Sequence, residues 1–259
     1  MTDDSVLTVR RRARSRWARI SAGNAAMVAL AVVALESLWT DGPPPGFLVA
    51  VGVMLTLESA FVYRLLGGLE RTRRPANRPV TIATWVTVAR GAAVAVLAGF
   101  VGTEPPSGIA WVPAALFAAA AAFDAVDGAI ARATDTVTDF GARLDVETDG
   151  LVVLVGTLVA VVDGALPRFF LAVAVARYLF VAGQWWRERQ SKPVFDLPPN
   201  RLRRPLGGLA MLAVWLALLP IPGDTVSRAF ATLLVVPFLA NFCWDWLAVT
   251  GRVGPSARP

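Results

Sequence analysis

Four aspartates carry the spacing most suggestive of chemistry in this sequence: Asp124, Asp127, Asp145 and Asp149. Asp124, Asp127, Gly128 and Ala131 lie three and four residues apart, so a helix puts them on one face. Asp145 and Asp149 are four apart and share a face of the next helix, while Glu147 points elsewhere. The loop Ala133–Ala142 turns the chain back, making the two helices antiparallel neighbours whose carboxylates converge. Measured along the helices, Asp124 lies ~12 Å from the end at Arg132 and Asp149 ~9 Å from Arg143. An acid at such depth in a bilayer costs about 2.5–3.5 kcal/mol even on the lenient insertion scale, and four together repel one another. One or two divalent cations remove both penalties. The chain has one cysteine, Cys243, and no histidine. Intrachain disulfides, thiolate zinc sites, Ser-His-Asp triads and HExxH chemistry are excluded. Any metal must be held by oxygen, which points to Mg²⁺ or Mn²⁺.

These acids are embedded in an apolar chain. Of 259 residues, 56% are hydrophobic, and mean hydropathy is +0.57. Apolar runs cover Ser21–Trp39, Gly46–Gly68, Val80–Val101, Ile109–Ala131, Leu151–Val162, Ala165–Trp186, Leu206–Ile221 and Thr225–Val249. A bilayer span needs about 20 such residues. The run at Leu151 spans only if its helix starts near Arg143, which draws Asp145 and Asp149 into it. The expected fold is therefore an all-α membrane protein of eight transmembrane helices. Residues 1–20 read as a basic tail, 21–69 as a transmembrane hairpin turning at Asp41–Gly46, 80–251 as a six-helix core and 252–259 as a second tail. Trp185, Trp186, Trp244 and Trp246 read as interfacial anchors.

The formal charge of +6 is distributed by loop and does not imply nucleic acid. Arginines cluster before the first run, at Arg71–Arg78, and between Arg187 and Arg204, whereas Thr40–Pro45 and Gly102–Gly108 contain no Lys or Arg. The positive-inside rule then places both termini and the acidic motif on the cytoplasmic side of the cell membrane. The first run, 19 residues without a small-x-small site after it, exceeds a signal-peptide core and reads as a retained span.

The string Asp124-x2-Asp127-Gly128-x2-Ala131-Arg132-x8-Gly141-x3-Asp145-x3-Asp149 resembles, at each fixed position, the signature of the CDP-alcohol phosphatidyltransferases. Thr84-x2-Thr87-x2-Arg90 is similar to a pattern often found on the first helix of that family. The resemblance implies a six-helix membrane core over 80–251, and the hairpin at 21–69 lies outside it. It further implies that Asp124, Asp127 and Asp145 ligate metal and that Asp149 is the general base, also touching the metal site. Gly128 and Gly141 would let the nucleotide approach the backbone, Arg132 would pair with its phosphates, and Thr84 and Thr87 would line the same pocket. The substrates implied are a CDP-linked lipid and a small polar acceptor, with CMP released, in a homodimer.

Arg90 and Arg177 each lie ~15 Å from a cytoplasmic helix end. Two readings stay open: salt bridges to Glu58 or Asp245, or a cationic pocket for a phosphorylated acceptor, joined by Arg201, Arg203 and Arg204. The second favours glycerol phosphate or inositol phosphate as acceptor. Serine or another amino alcohol is the alternative within the family, and a cation-coupled transporter or a silent scaffold is the alternative outside it.

Overall fold

The computed structural model describes residues 3–39, 42–71, 81–133, 138–220 and 225–253. The side chains of 3–10, 12, 68–71, 124–133 and 139 fall outside that description. Among the described residues all regular structure is helical: α1 (Asp3–Glu36), α2 (Pro45–Arg71), α3 (Ile82–Gly99), α4 (Val112–Ala133), α5 (Asp139–Val162), α6 (Leu171–Arg189), α7 (Arg203–Leu218) and α8 (Thr225–Val249). Single 3₁₀ turns at Ser107–Ile109 and Arg168–Phe170 precede α4 and α6.

Among the described residues, five segments are long and apolar enough to cross a membrane: Ala13–Glu36, Pro45–Gly67, Ile82–Gly99, Arg168–Arg189 and Thr225–Val249. Several membrane-crossing helices are thus present, and the full count of eight is not reached by length and composition. The reason is local. Asp139, Arg143, Asp145, Glu147 and Asp149 load the first half of α5 with charge. α7 has only 16 residues. α1 itself runs unbroken from Asp3 through the arginine cluster.

The chain divides into two units, Met1–Val159 and Ala160–Pro259. In the first, α3 packs against α1, α2 and α4. Ala92, Ala95 and Ala98 keep its surface low, and Val94, Ala95 and Leu97 are fully buried. Aromatic packing locks the end of α3 to the hairpin: Phe47 meets Phe100 edge-on at 5.1 Å and Trp39 at 5.4 Å. Gly99 is required here, since a Cβ would come within 2.5 Å of the Phe47 ring. The hairpin itself is stitched by polar contacts. Trp17 Nε1 donates to the Ser59 carbonyl at 3.0 Å, Ser21 and Ser59 hydroxyls bond at 2.9 Å, and Asn24 Nδ2 donates to Glu58 Oε2 at 2.7 Å. Ile20, Val62, Leu66, Val88 and Leu144 then form one buried cluster that joins the hairpin to α3 and α5.

In the second unit α8 packs against α6 and α7. Arg203, at the start of α7, grips Asp245 of α8 through Nε and Nη2, each at 2.9 Å. Those bonds hold the Arg203 guanidinium above its ordinary pKa. Asn200 Nδ2 donates to Asn241 at 2.6 Å, tying the preceding loop to the same helix. Trp185, Trp186 and Trp244 are exposed, as interfacial anchors would be. Trp246 is not: it stacks edge-on with Phe180 at 5.6 Å and sits where a Cβ on Gly183 would be. That reading is corrected to a packing role.

Candidate active site

The two helices that carry Thr84, Thr87, Arg90, Asp145 and Asp149 are each preceded by a threonine. Thr81 caps α3, its hydroxyl accepting from the Thr84 N–H at 3.3 Å and lying 3.1 Å from the Thr84 hydroxyl. Thr138 caps α5, its hydroxyl accepting from the Gly141 N–H at 3.0 Å. Such caps satisfy first-turn donors that the helix itself leaves open. They also bring two expected nucleotide contacts together, because a Cβ on Gly141 would stand 3.9 Å from the Thr84 hydroxyl oxygen. Thr84 and Thr87 are buried, and the Thr87 hydroxyl donates to the Ala83 carbonyl at 3.1 Å.

Two turns into α3, Arg90 is wholly buried. Its Nε donates to the Ala120 carbonyl of α4 at 2.9 Å. Nη1 donates to Asp145 Oδ1 and Nη2 to Asp149 Oδ1, both on α5. One planar fork therefore binds three helices at once. The geometry follows from sequence spacing: residues four apart on α5 stand one above the other, and a guanidinium presents donors in a rigid plane that can reach both. Desolvating an arginine is costly, and charge-assisted bonds to two carboxylates offset that cost. The two aspartate side chains keep 32% and 37% of their surface exposed, so the pair has its back in protein and its face open.

Arg90 was open to two expectations, and the structure replaces both. It is engaged by Asp145 and Asp149 rather than by Glu58, and it has no exposed surface to offer a phosphorylated acceptor. Glu58 takes Asn24 as partner, and Asp245 takes Arg203. Arg177 on α6, Arg201 in the loop and Arg204 on α7 all belong to the second unit, where Arg201 and Arg204 are exposed. Positions 124, 127, 128 and 132 fall within α4, and the side chains of Asp124, Asp127 and Arg132 lie outside the described residues. Among the described residues no group of three metal-binding side chains occurs.

The described donors nonetheless suit a hard cation. Two carboxylates, one turn apart and oriented by a shared guanidinium, carry two negative charges against one positive charge. The local excess is negative, the donors are oxygen, and the face is open, which fits a divalent ion. Sequence reasoning missed Thr81, Thr138 and the Ala120 carbonyl. For the first two the signal was available: a threonine directly before each helical run. For the carbonyl there was none.

The family model for CDP-alcohol phosphatidyltransferase matches residues 80–249, well over half the chain. The chain belongs to that family. It is accordingly a phosphotransferase of phospholipid biosynthesis, moving a phosphatidyl group from a CDP-alcohol to an alcohol acceptor in a membrane setting. Members of the family generally use divalent metal ions. The match begins beside the Thr81 cap and ends with α8, so α1 and α2 fall outside it. Comparison with curated proteins and with solved structures returned no match.

Proposed function

We propose that this phosphatidyltransferase transfers a diacyl- or dialkyl-glycerol phosphate group from a CDP-linked lipid to a phosphorylated polyol, glycerol phosphate or inositol phosphate, and releases CMP. The observation that carries the reading is the convergence of Asp145 and Asp149 on Arg90. Catalytic carboxylates must be held in place through a reaction, and the fork restrains both from the buried side. By helical repeat, positions 124 and 127 share the stripe of position 120, whose carbonyl Arg90 engages, which supports all four aspartates facing one point.

A Mg²⁺ or Mn²⁺ ion held by Asp124, Asp127, Asp145 and Asp149 would neutralise the diphosphate and stabilise CMP as leaving group. Asp149 accepts the proton of the acceptor hydroxyl as its oxygen bonds to the lipid-side phosphorus and the bond to CMP breaks. Arg90 positions Asp145 and Asp149 without touching substrate. Thr84 and Gly141, close together at the two capped helix starts, line the nucleotide pocket, with Gly128, Arg132 and Thr87 completing it. On sequence grounds Arg177, Arg201 and Arg204 are assigned to the acceptor, and their charge favours a phosphorylated acceptor over serine. The protein works as a homodimer, with termini and site on the cytoplasmic face, where nucleotide and acceptor arrive from water and the lipid enters sideways.

The test is CMP release by the purified protein with a CDP-lipid, Mg²⁺ or Mn²⁺, and a panel of glycerol phosphate, inositol phosphate, glycerol, inositol and serine. Activity should require metal and a phosphorylated acceptor. Asp149→Asn should lower turnover by about 10³-fold, within the range for loss of a general base, with unchanged elution from a sizing column. Full turnover by Asp149→Asn, or serine as the preferred acceptor, overturns the corresponding part of the reading.

A further inference from the structure

The hairpin buries a second carboxylate that the transfer reaction does not use. Glu58 lies in the middle of α2 and is 9% exposed; Asn24 of α1, 8% exposed, is its partner. Asn24 Nδ2 satisfies Glu58 Oε2, which leaves Glu58 Oε1 and Asn24 Oδ1 buried with no donor among the described residues. Both residues line a partly open cavity of about 40 Å³ between the hairpin, α3 and α5, and among the described residues Glu58 is its one charged wall. The remaining polar wall is hydroxyl: Ser21, Ser59, Thr87 and Thr148. Thr148 donates to the Leu144 carbonyl at 2.8 Å, which leaves its oxygen able to accept, and Ser21 and Ser59 share a hydrogen bond of 2.9 Å. When Glu58 is ionised, its unsatisfied oxygen and that of Asn24, with the neighbouring hydroxyl oxygens, are complementary to a positive ion.

We propose that Ser21, Asn24, Glu58, Ser59 and Thr148 form a binding site for one alkali-metal ion, Na⁺ or K⁺. The charge decides the valence. One carboxylate neutralises a monovalent ion, whereas a divalent ion would leave a net positive charge buried among apolar helices. The volume suits an ion with at most a water or two, since one water needs about 10–15 Å³. An entry path exists, because Ser21, Asn24 and Ser59 also line an open cleft of about 650 Å³ on the hairpin. The site joins α1 and α2 to α3 and α5, so a bound ion fastens the hairpin, which lies outside the family match, to the helices that carry Arg90, Asp145 and Asp149.

The purified full-length chain tests this by thermal unfolding in NaCl, KCl and N-methyl-D-glucamine chloride, at one pH and ionic strength and with EDTA present. Unfolding should occur roughly 5 °C higher with Na⁺ or K⁺ than with the organic cation, the size mass action gives for an ion at about a hundred times its dissociation constant. Glu58→Gln should abolish the difference. Equal unfolding temperatures in the three salts overturn the proposal, as does a difference that survives in Glu58→Gln or a stability that follows pH alone, which would mean a proton occupies the site. If Glu58→Gln does not fold, Thr148→Val keeps the shape and removes one oxygen. It should raise the salt concentration giving half the shift several-fold, and an unchanged midpoint overturns the proposal. The readout uses no substrate and no divalent metal, so failure of the transfer reaction leaves it unaffected.

Discussion

Two acidic sites in the first unit solve the same problem differently. In the core, Asp145 and Asp149 receive a full positive charge from Arg90, whose third donor is anchored on the Ala120 carbonyl. In the hairpin, Glu58 receives only the neutral amide of Asn24. A carboxylate in a membrane helix is costly wherever it sits. The core offsets the cost with a side chain of its own and keeps the outer face of the pair open. Among the described residues no cation of the hairpin pairs with Glu58, so on the reading proposed above its charge is compensated by an ion from solution. A charge supplied by the chain makes a permanent, oriented site; one borrowed from solution makes a conditional site. The first suits catalysis and the second suits control of stability.

The largest effect should come from making the core resemble the hairpin. Arg90→Leu removes the internal cation and leaves two acids against apolar protein. Breaking a buried charged network in this way costs about 3–5 kcal/mol, and Arg90→Leu should fail to purify as folded protein. Arg90→Lys keeps the charge but loses the fork, since one ammonium cannot hold both carboxylates and the Ala120 carbonyl in a plane. It should fold, with kcat reduced about 10–100-fold, the usual consequence of loosening groups that orient metal ligands. If Arg90 acts on the acids, the loss falls in kcat and in the metal concentration needed, with little change in KM for the acceptor. A rise in acceptor KM alone would restore Arg90 to the acceptor pocket.

The core acids were legible before the fold was known because both of their signals are local. A period of three and four along one helix fixes a face, and a carboxylate in an apolar run is conspicuous. The extension of the fifth helix toward its start was legible for the same reason, since Leu151–Val162 is too short to span alone, and α5 in fact begins at Asp139. What could not be read was pairing across helices. Arg90 is 55 and 59 residues from its two aspartates, and hydropathy alone gave Glu58 and Asp245 equal claim to it. The difference between Arg201, Arg203 and Arg204 was equally hidden. All three sit at one helix start, yet only the register of α7 against α8 turns Arg203 onto Asp245. The polar stitching of the hairpin was likewise invisible, because Trp17, Ser21, Asn24 and Ser59 are each unexceptional residues in an apolar segment.

A middle-sized effect tests whether the hairpin can be loosened without touching the catalytic pair. Gly99 ends α3 against Phe47, and Phe47 is itself fully buried with Phe100 and Trp39 packed around it. The ring has no free space to retreat into, so Gly99→Ala should overpack the contact and cost about 1–3 kcal/mol. The unfolding temperature should fall by several degrees while kcat stays within a factor of two. A large loss of kcat with little loss of stability would mean that the far end of α3 communicates with the acids, and the two sites would have to be treated as one.

The smallest effect concerns the cap that sets the register of the core acids. Thr138 accepts from the Gly141 N–H and stands immediately before α5, seven residues from Asp145. Thr138→Ala removes that acceptor and should cost about 1 kcal/mol, the usual price of a lost N-cap. Thr138→Ser keeps the hydroxyl and should restore most of the loss. Because Arg90 still grips Asp145 and Asp149 deeper in the helix, fraying of the first turn should stop short of them. The transfer rate should therefore fall only a few-fold, mainly through KM for the CDP-lipid, as Gly141 and Thr84 drift apart. The same substitution at Thr81 frays the other side of that contact, so the two single changes should be non-additive. Additive effects would show that the two capped ends act independently, and that the nucleotide does not bridge them.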